Sequence, residues 1–249
     1  MDDGPDDFLG GTVRLFQPPR GSHRAGTDAV LLARLIEPEP GDVIFDVGAG
    51  TGAVGIGVGV RTPGCRVVLV ERASDLAEMA RRNAALNAVA DRIEVVEADV
   101  LASGTDRRLG GLISGRADIV LTNPPFFEIG RHRPSPDAGK AAAHDFSAGG
   151  LESWIRTCTD LLRPGGRLGL IHRADALPLC LDALRNRFGA ISIRPVHARA
   201  DRPAIRILVR AVKGSRAALE LRPPLVLQDA DGAFTEEAEA LHRGRSWSV

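Results

Sequence analysis

Val43-Ile44-Phe45-Asp46-Val47-Gly48-Ala49-Gly50-Thr51-Gly52 decides how this chain folds. Four apolar residues interrupted only by Asp46 predict a buried strand. Glycine at 48, 50 and 52 lets the backbone turn sharply and approach a ligand that a Cβ would push away. The helix expected next runs from Ala53 to about Val60 and contains Gly55, Gly57 and Gly59. Each glycine costs a helix roughly 1 kcal/mol relative to alanine. Close packing of that helix on a sheet is the only reason we find for tolerating three.

The same alternation continues downstream. Arg66-Val67-Val68-Leu69-Val70 predicts a second strand ending in Glu71, followed by a helix from Leu76 to Leu86. Ile93-Glu94-Val95-Val96 leads to Asp99. A Gly-rich connection from Gly104 to Gly115 precedes the strand Asp118-Ile119-Val120-Leu121-Thr122. After a long polar loop over 127–149 come a helix from Leu151 to Leu162, a strand from Arg167 to His172 and a helix from Ala176 to Phe188. Strands at Ile191-Ser192-Ile193 and Ile205 to Val209 close the sheet. Upstream, residues 1–7 read as a disordered acidic tail and Thr12 to Phe16 as a short strand. Arg24 to Leu35 reads as a helix capped by Thr27 or Asp28 and ended by Pro38 and Pro40. Strands alternating with helices predict an α/β fold, a Rossmann-like parallel sheet covered by helices on both faces. Ligands of such sheets bind beyond the carboxyl ends of the strands, near the point where strand order reverses. Asp46, the glycines, Glu71, Asp99 and Asn123 all fall at strand ends. We expect one domain over 8–249: an N-terminal cap at 8–42, the core at 43–213 and an extension at 214–249. That extension carries short strands at Leu219-Glu220-Leu221 and Leu225-Val226-Leu227 and a helix near Thr235 to His242.

Composition narrows the function classes. The 249 residues are 44% hydrophobic, enough for a sizeable core, and Lys+Arg and Asp+Glu balance at 32 each. Any basic surface must therefore be local. Cys65, Cys158 and Cys180 lack paired spacing, which argues against a disulfide framework or a zinc site and for a reducing compartment. There is no apolar run long enough to span a membrane. The acidic start is unlike a secretory signal. A cytoplasmic, metal-free protein, a monomer or weak homodimer, is the expectation.

Asn123-Pro124-Pro125-Phe126 is the second informative stretch. Two prolines cannot continue a strand or helix, and the residue before a proline is pushed to an extended conformation. Asn123 is thus held at a strand end on stiff backbone, so its amide oxygen and the Pro124 carbonyl can face the same way as two acceptors. Such a dipeptide is also an ordinary rigid turn. The glycine stretch, for its part, satisfies a loose dinucleotide fingerprint with Glu71 about twenty residues on. By itself it does not separate a nicotinamide enzyme from a methyltransferase. Asp46, suited to a cationic amino-acid tail, and Asp99, placed for an adenine amine, favour S-adenosylmethionine. A P-loop is excluded because no Gly-Lys-Ser/Thr follows.

Asp46 to Gly52 together with Asn123-Pro124-Pro125-Phe126 resembles a class I S-adenosylmethionine-dependent methyltransferase of the amino-methylating group. Arg24-Ala25-Gly26-Thr27-Asp28-Ala29-Val30-Leu31-Leu32 further resembles the bacterial family that methylates the N6 amine of an adenine in the anticodon loop of valine tRNA. The likeness runs from about Phe8 to Val226. It implies a seven-stranded sheet, mostly parallel, with an antiparallel last strand. It also implies that Asn123 and the Pro124 carbonyl bind the target NH₂, with Pro125 stiffening the motif and Phe126 stacking on the base. Asp46, Gly48, Gly50 and Gly52 would hold the methionine part of the cofactor, Glu71 the ribose and Asp99 the adenine, with Gly26, Thr27 and Asp28 at its mouth. The family often carries Arg-His-Glu after the catalytic motif, where this chain has Ala143-His144-Asp145; that departure leaves the RNA target open. Arg194, His197, Arg199, Arg202, Arg206, Arg210, Lys213, Arg216 and Arg222, with Arg131, His132 and Arg133, would form a phosphate-contacting rim for tRNA. A glutamine-amide methyltransferase acting on a protein, a noncatalytic RNA-binding module and a nicotinamide oxidoreductase are the competing readings.

Overall fold

A computed structural model of the chain describes residues 4–19, 21, 24–125 and 149–244. Phe126, Arg131, His132, Arg133, the 127–149 loop up to 148 and Ala143-His144-Asp145 lie outside the described residues. In chain order the elements are β1 (Asp6–Phe8), β2 (Val13–Leu15), α1 (Thr27–Leu35), β3 (Val43–Val47), α2 (Ala53–Arg61), β4 (Arg66–Glu71) and α3 (Ser74–Leu86). Then follow β5 (Ile93–Glu97), α4 (Gly104–Leu109), β6 (Ala117–Thr122), α5 (Gly149–Leu161), β7 (Leu162–Arg173) and α6 (Leu177–Leu184). The chain continues through β8 (Phe188–Arg199), β9 (Ala204–Lys213), β10 (Glu220–Leu221), β11 (Leu225–Gln228) and α7 (Glu236–His242).

The core sheet has the order β5-β4-β3-β6-β7-β9-β8, parallel from β5 to β7, with β9 antiparallel to both neighbours. The order reverses between β3 and β6, so the switch point lies where Gly48 and Asn123 leave the sheet. One apolar cluster joins α1, α2, the α3 alanines and the β1–β2 hairpin to one face; another joins α5 and α6 to the opposite face. The strand interiors are covered on both sides, which is why β3, β4 and β6 read as near-continuous apolar runs.

The three glycines of α2 have different accounts. A Cβ at Gly55 would sit 2.3 Å from Leu69 Cδ2 and 2.9 Å from Val67 Cγ1, so only glycine lets the helix lie this close to β4. At Gly57 it would meet Leu9 Cδ1 at 2.9 Å, the contact that seats the hairpin. Gly59 has ordinary room, and nothing in the structure explains it.

The tail widens the sheet instead of leaving it at seven strands. β10 and β11 both pair parallel with β8, making nine strands among the described residues. Pro195 stands inside β8, where a proline would remove a ladder bond. The tail is interrupted there: β10 ends opposite Ile193 and β11 begins opposite Val196. The missing N–H costs nothing at that break.

Several boundaries differ from expectation. Asp6 and Asp7, expected in a disordered tail, pair with Leu15 and Arg14, and the Asp6 carboxylate takes Gln17 and Arg24. The N-cap of α1 is Gly26, with no side-chain cap; Thr27 and Asp28 are already helical. The connection after Asp99 holds a short helix, α4, capped by Ser103. β7 starts five residues early, at Leu162, and α6 stops at Leu184 because Arg185 is extended and Asn186 adopts φ 62°. Among the described residues no helix is long and apolar enough to cross a membrane.

Candidate active site

The glycine turn is clamped from the side of β4. Gly48 and Ala49 both donate to Val70 O, at 2.9 and 3.0 Å, and Gly52 donates back to Ala49 O at 2.8 Å. Gly50 N–H reaches Glu71 Oε2 at 2.8 Å, while Glu71 Oε1 accepts from the N–H groups of Arg72 and Ala73. All three glycines have positive φ: 77° at Gly48, 56° at Gly50 and 84° at Gly52. Only glycine adopts these readily. A Cβ at Gly48 would strike Trp154, and one at Gly52 would strike Ile56 and Leu69, each at 2.9 Å. At Gly50 nothing lies within 4 Å. The turn is packed on two of its glycines and open at the third.

Asp46 sits beneath this turn. It is 2% exposed and accepts the Gly55 N–H at 2.8 Å, joining β3 to the first turn of α2. Burial pushes its carboxyl up to about 7; the Gly55 N–H opposes this shift and the nearby Glu71 charge adds to it. From this position the carboxylate holds the start of α2 against β3. Asp99 is exposed beyond β5, with Oδ1 accepting the Leu101 N–H at 2.8 Å. The end of β5 is tied to β4 by Ala98 N–H on Glu71 O at 3.0 Å. The four positions Asp46, Gly50, Glu71 and Asp99 thus follow one another along the carboxyl ends of β3, β4 and β5.

Asn123 leaves β6 beside Gly48, because Thr122 is in register with Val47. Thr122 Oγ1 donates to Val47 O at 2.8 Å and accepts from Trp154 Nε1 at 2.9 Å. Trp154, from α5, therefore locks both strand ends at once. Pro124 is buried and Pro125 half-buried. Among the described residues Asn123 Oδ1 is buried with no hydrogen-bond partner. A buried acceptor left unpaired costs about 1–3 kcal/mol, so its persistence calls for a donor that arrives from outside. Asn123 lines a cleft of ≈ 280 Å³ together with Arg24 to Ala29 and Arg206. The cleft thus brings Gly26, Thr27 and Asp28 to the Asn123 strand end. Among the described residues no group of His, Cys, Asp and Glu is placed to hold a metal ion.

Two supporting residues escaped the sequence reading. Trp154 is marked only by its place on an apolar stripe with Leu151, Ile155 and Cys158, a pattern that announces burial but no hydrogen bond. Asn83, fully buried on α3, donates from Nδ2 to Phe16 O and Thr51 O at 2.9 and 3.0 Å and accepts the Phe16 N–H at 2.7 Å. It joins the glycine turn to the segment leading to Gly26. An asparagine near a helix end carries no such message in sequence.

The expected basic rim is largely engaged within the protein. Arg206 forms an ion pair with Asp28 at 2.9 Å, and Arg194 pairs with Glu237 at 2.7 Å. Lys213 Nζ donates to Thr159 O and Leu162 O. These cations fold the tail and α1 onto the sheet.

The methyltransferase small domain model matches residues 23–194. The chain belongs to the methyltransferase small domain family. Among curated relatives, a tRNA1(Val) (adenine(37)-N6)-methyltransferase of Porphyromonas gingivalis is 36% identical over 158 residues, 62% of this chain and 60% of that protein. The chain therefore spans less than two thirds of that relative. The enzyme of the same name from Aeromonas hydrophila is 29% identical over 223 residues, 87% of each chain. A crystal structure from Agrobacterium tumefaciens, called a predicted O-methyltransferase, superposes with TM-score 0.76 at 36% identity, covering 89% of this chain and 98% of that one. This small-domain fold thus extends to solved neighbours of nearly the same length.

Proposed function

We propose that the protein transfers a methyl group from S-adenosylmethionine to the exocyclic N6 amine of an adenine in tRNA. The observation that carries this reading is the buried Asn123 Oδ1, unpaired among the described residues, at the switch point beside the glycine turn and lining the Gly26–Ala29 cleft. The residues present fit the cofactor: Gly50 leaves open room, Glu71 offers carboxylate oxygens for ribose hydroxyls, Asp99 is exposed for an adenine amine, and Gly26, Thr27 and Asp28 form the mouth. When bound, S-adenosylmethionine supplies an electrophilic sulfonium methyl. Asp46 fixes the start of α2, which follows the glycine turn, and Val70 and Glu71 set the Gly48-Ala49-Gly50 backbone that would face the cofactor's methionine part.

Asn123 Oδ1 and the Pro124 carbonyl supply two acceptors around one nitrogen. An adenine amine is a poor nucleophile because its lone pair is delocalised into the ring. Holding both N–H bonds favours pyramidalisation and aims that lone pair out of the ring plane. This is catalysis by position and electrostatics, with no mandatory general base. Two acceptors match the two hydrogens of an NH₂; a hydroxyl offers only one, which separates this reading from O-methyl transfer. Phe126, next in the chain, is assigned the stacking of a base taken out of the RNA. The two curated relatives named as tRNA adenine-N6 enzymes support the same acceptor, and with it we assign the reaction to the cytoplasm. We assign residues 8–249 to one working domain.

The test is to incubate the protein with S-adenosylmethionine and an unmodified tRNA transcript, digest the RNA and measure N6-methyladenosine by mass spectrometry. Methyl found on ribose oxygen, on a protein glutamine amide, or nowhere would overturn this assignment.

A further inference from the structure

Transfer between two bound ligands needs the reacting atoms in line and within about 3–3.5 Å of each other. Here the two halves of the site stand on different parts of the chain. The glycine turn belongs to the core sheet. The lip of the acceptor cleft, Arg24 to Ala29, is the N-terminal end of α1, which the chain reaches through the β1–β2 hairpin. One half has to be registered against the other.

Two asparagines on one side of a helix fasten the hairpin. Asn83, on α3, and Asn87, just past its end, are four residues apart and stand one above the other, about 6 Å apart along the axis. Arg14 and Phe16 lie two residues apart on extended chain, about 6.6 Å. The spacings match. Asn87 Oδ1 accepts the Arg14 N–H at 2.9 Å, and its Nδ2 donates to Arg14 O at 2.7 Å. Asn83 holds the N–H and carbonyl of Phe16 in the same way. The two amides thus take the place of a third strand on the edge of β2 that faces away from β1.

The second hydrogen of each Nδ2 separates the two residues. Asn87 gives it to Asn83 O at 2.8 Å, within the helix it follows. Asn83 gives it to Thr51 O at 3.0 Å, between Gly50 and Gly52. Asn83 is fully buried. An apolar side chain there would leave the Phe16 N–H and two carbonyls without this partner.

From Phe16 the connection continues to the lip. Gln17 Oε1 accepts the Ala25 N–H at 2.7 Å, and Gln17 Nε2 donates to Asp6 at 2.9 Å. Ala25 precedes Gly26, whose carbonyl accepts the N–H groups of Ala29 and Val30 at 3.0 and 3.2 Å. Arg206 holds Asp28, one turn further on, at 2.9 Å. Thr51, Asn83, Phe16, Gln17 and Ala25 therefore form one bonded path from the glycine turn to the lip that lines the cleft with Asn123.

We propose that Asn83 and Gln17 are positioning residues for methyl transfer, holding the lip of the acceptor cleft at a fixed distance from the glycine turn. The proposal rests on the methyltransferase reading above. Neither residue is among the described residues lining the cleft; both act through the backbone they hold. Breaking the path leaves each ligand most of its own contacts but lets the gap between them vary, so the rate falls further than either affinity.

Gln17→Ala is the first variant, because this side chain is only half-buried; Asn83→Ala is the second and Asn87→Ala the control. Single-turnover methyl transfer to an unmodified tRNA transcript is measured at saturating S-adenosylmethionine and tRNA, together with the affinity for each and the Tm. Gln17→Ala and Asn83→Ala should slow transfer about ten-fold or more, with both affinities within about three-fold of wild type. Asn87→Ala removes as many hydrogen bonds as Asn83→Ala but none to Thr51. It should lower the Tm and keep the wild-type rate. A wild-type rate in Gln17→Ala, with or without weaker binding, overturns the proposal even if Asn83→Ala unfolds. Equal slowing in Asn87→Ala and Asn83→Ala assigns the effect to hairpin docking and overturns it too. A wild-type protein that leaves tRNA unmethylated overturns the functional reading itself, before any variant is compared, and this role with it.

Discussion

Gly48 and Asn123 leave adjacent parallel strands side by side, yet the two halves of the site are finished to different degrees. The glycine half is largely bonded within the protein. The N–H groups of Gly48, Ala49, Gly50 and Gly52 are taken by Val70, Glu71 and Ala49, and its shape is fixed by three positive φ angles and by packing against Trp154, Ile56 and Leu69. The asparagine half holds a buried oxygen with no partner among the described residues. The contrast shows which side is built in advance and which is completed by its ligand. A cofactor that enters the same way every cycle suits a rigid cradle; an acceptor amine suits oxygens that gain their hydrogen bonds only when it arrives.

Removing the unpaired oxygen should break this contrast most severely. Asn123→Ala is expected to lower methyl transfer by about 100-fold or more, while S-adenosylmethionine binding, measured by calorimetry, stays within about two-fold of wild type. A parallel loss of cofactor affinity would mean that the two halves are not separate. Next in size is the packing behind the glycine half. Gly55→Ala forces a methyl against Leu69 and Val67, and should cost about 1–3 kcal/mol in urea unfolding. An unchanged midpoint would show that α2 has slack against β4.

A gentler cut falls on the bond that couples the halves. Trp154→Phe deletes the N–H held by Thr122 Oγ1 and, with it, the far ring atoms Cζ2 and Cη2 that lie over Gly48. Stability should drop by about 1 kcal/mol, and turnover by a few-fold through a less fixed Asn123, with KM for the cofactor nearly constant. Equal turnover would leave Trp154 a packing residue only.

The smallest effect concerns pH. Asp46 is raised by burial from its ordinary value to about 7, so the folded protein binds its proton more tightly than the unfolded chain does. Its contribution to stability is therefore fully present below pH 4 and is lost as pH rises through about 7. Asp46→Asn, which keeps an acceptor for Gly55, should remove that dependence. Its Tm advantage over wild type should grow steadily between pH 5 and pH 8, read by thermal unfolding at each pH. Identical slopes for the two proteins would show that the carboxylate is stabilised by contacts stronger than its burial penalty.

Legibility follows the range of the interaction that decides each feature. The strand at Val43–Val47, the positive φ of the following glycines and the place of Asn123 just past a strand are local consequences of side-chain pattern and backbone sterics, and the structure reproduces them. The register of Thr122 against Val47 follows less directly, from alternation of strands and helices and the handedness of their connections. The tail was read as additions beyond a closed sheet, because two- and four-residue strands carry almost no periodicity. Pro195 and the Arg222-Pro223-Pro224 break match only when laid side by side.

The amino-acid sequence by itself determined the α/β alternation, the glycine turn and the asparagine at a strand end, since each follows from dihedral preference and hydrophobic period within a few neighbours. Only the tertiary structure decided which polar groups remain unpaired. Arg206 finds Asp28 across 178 residues, Asn83 ties the glycine turn to Phe16, and Asn123 Oδ1 finds no partner among the described residues. Whether a charge or an acceptor is satisfied depends on distances in space, and those are set by the packing of the whole sheet.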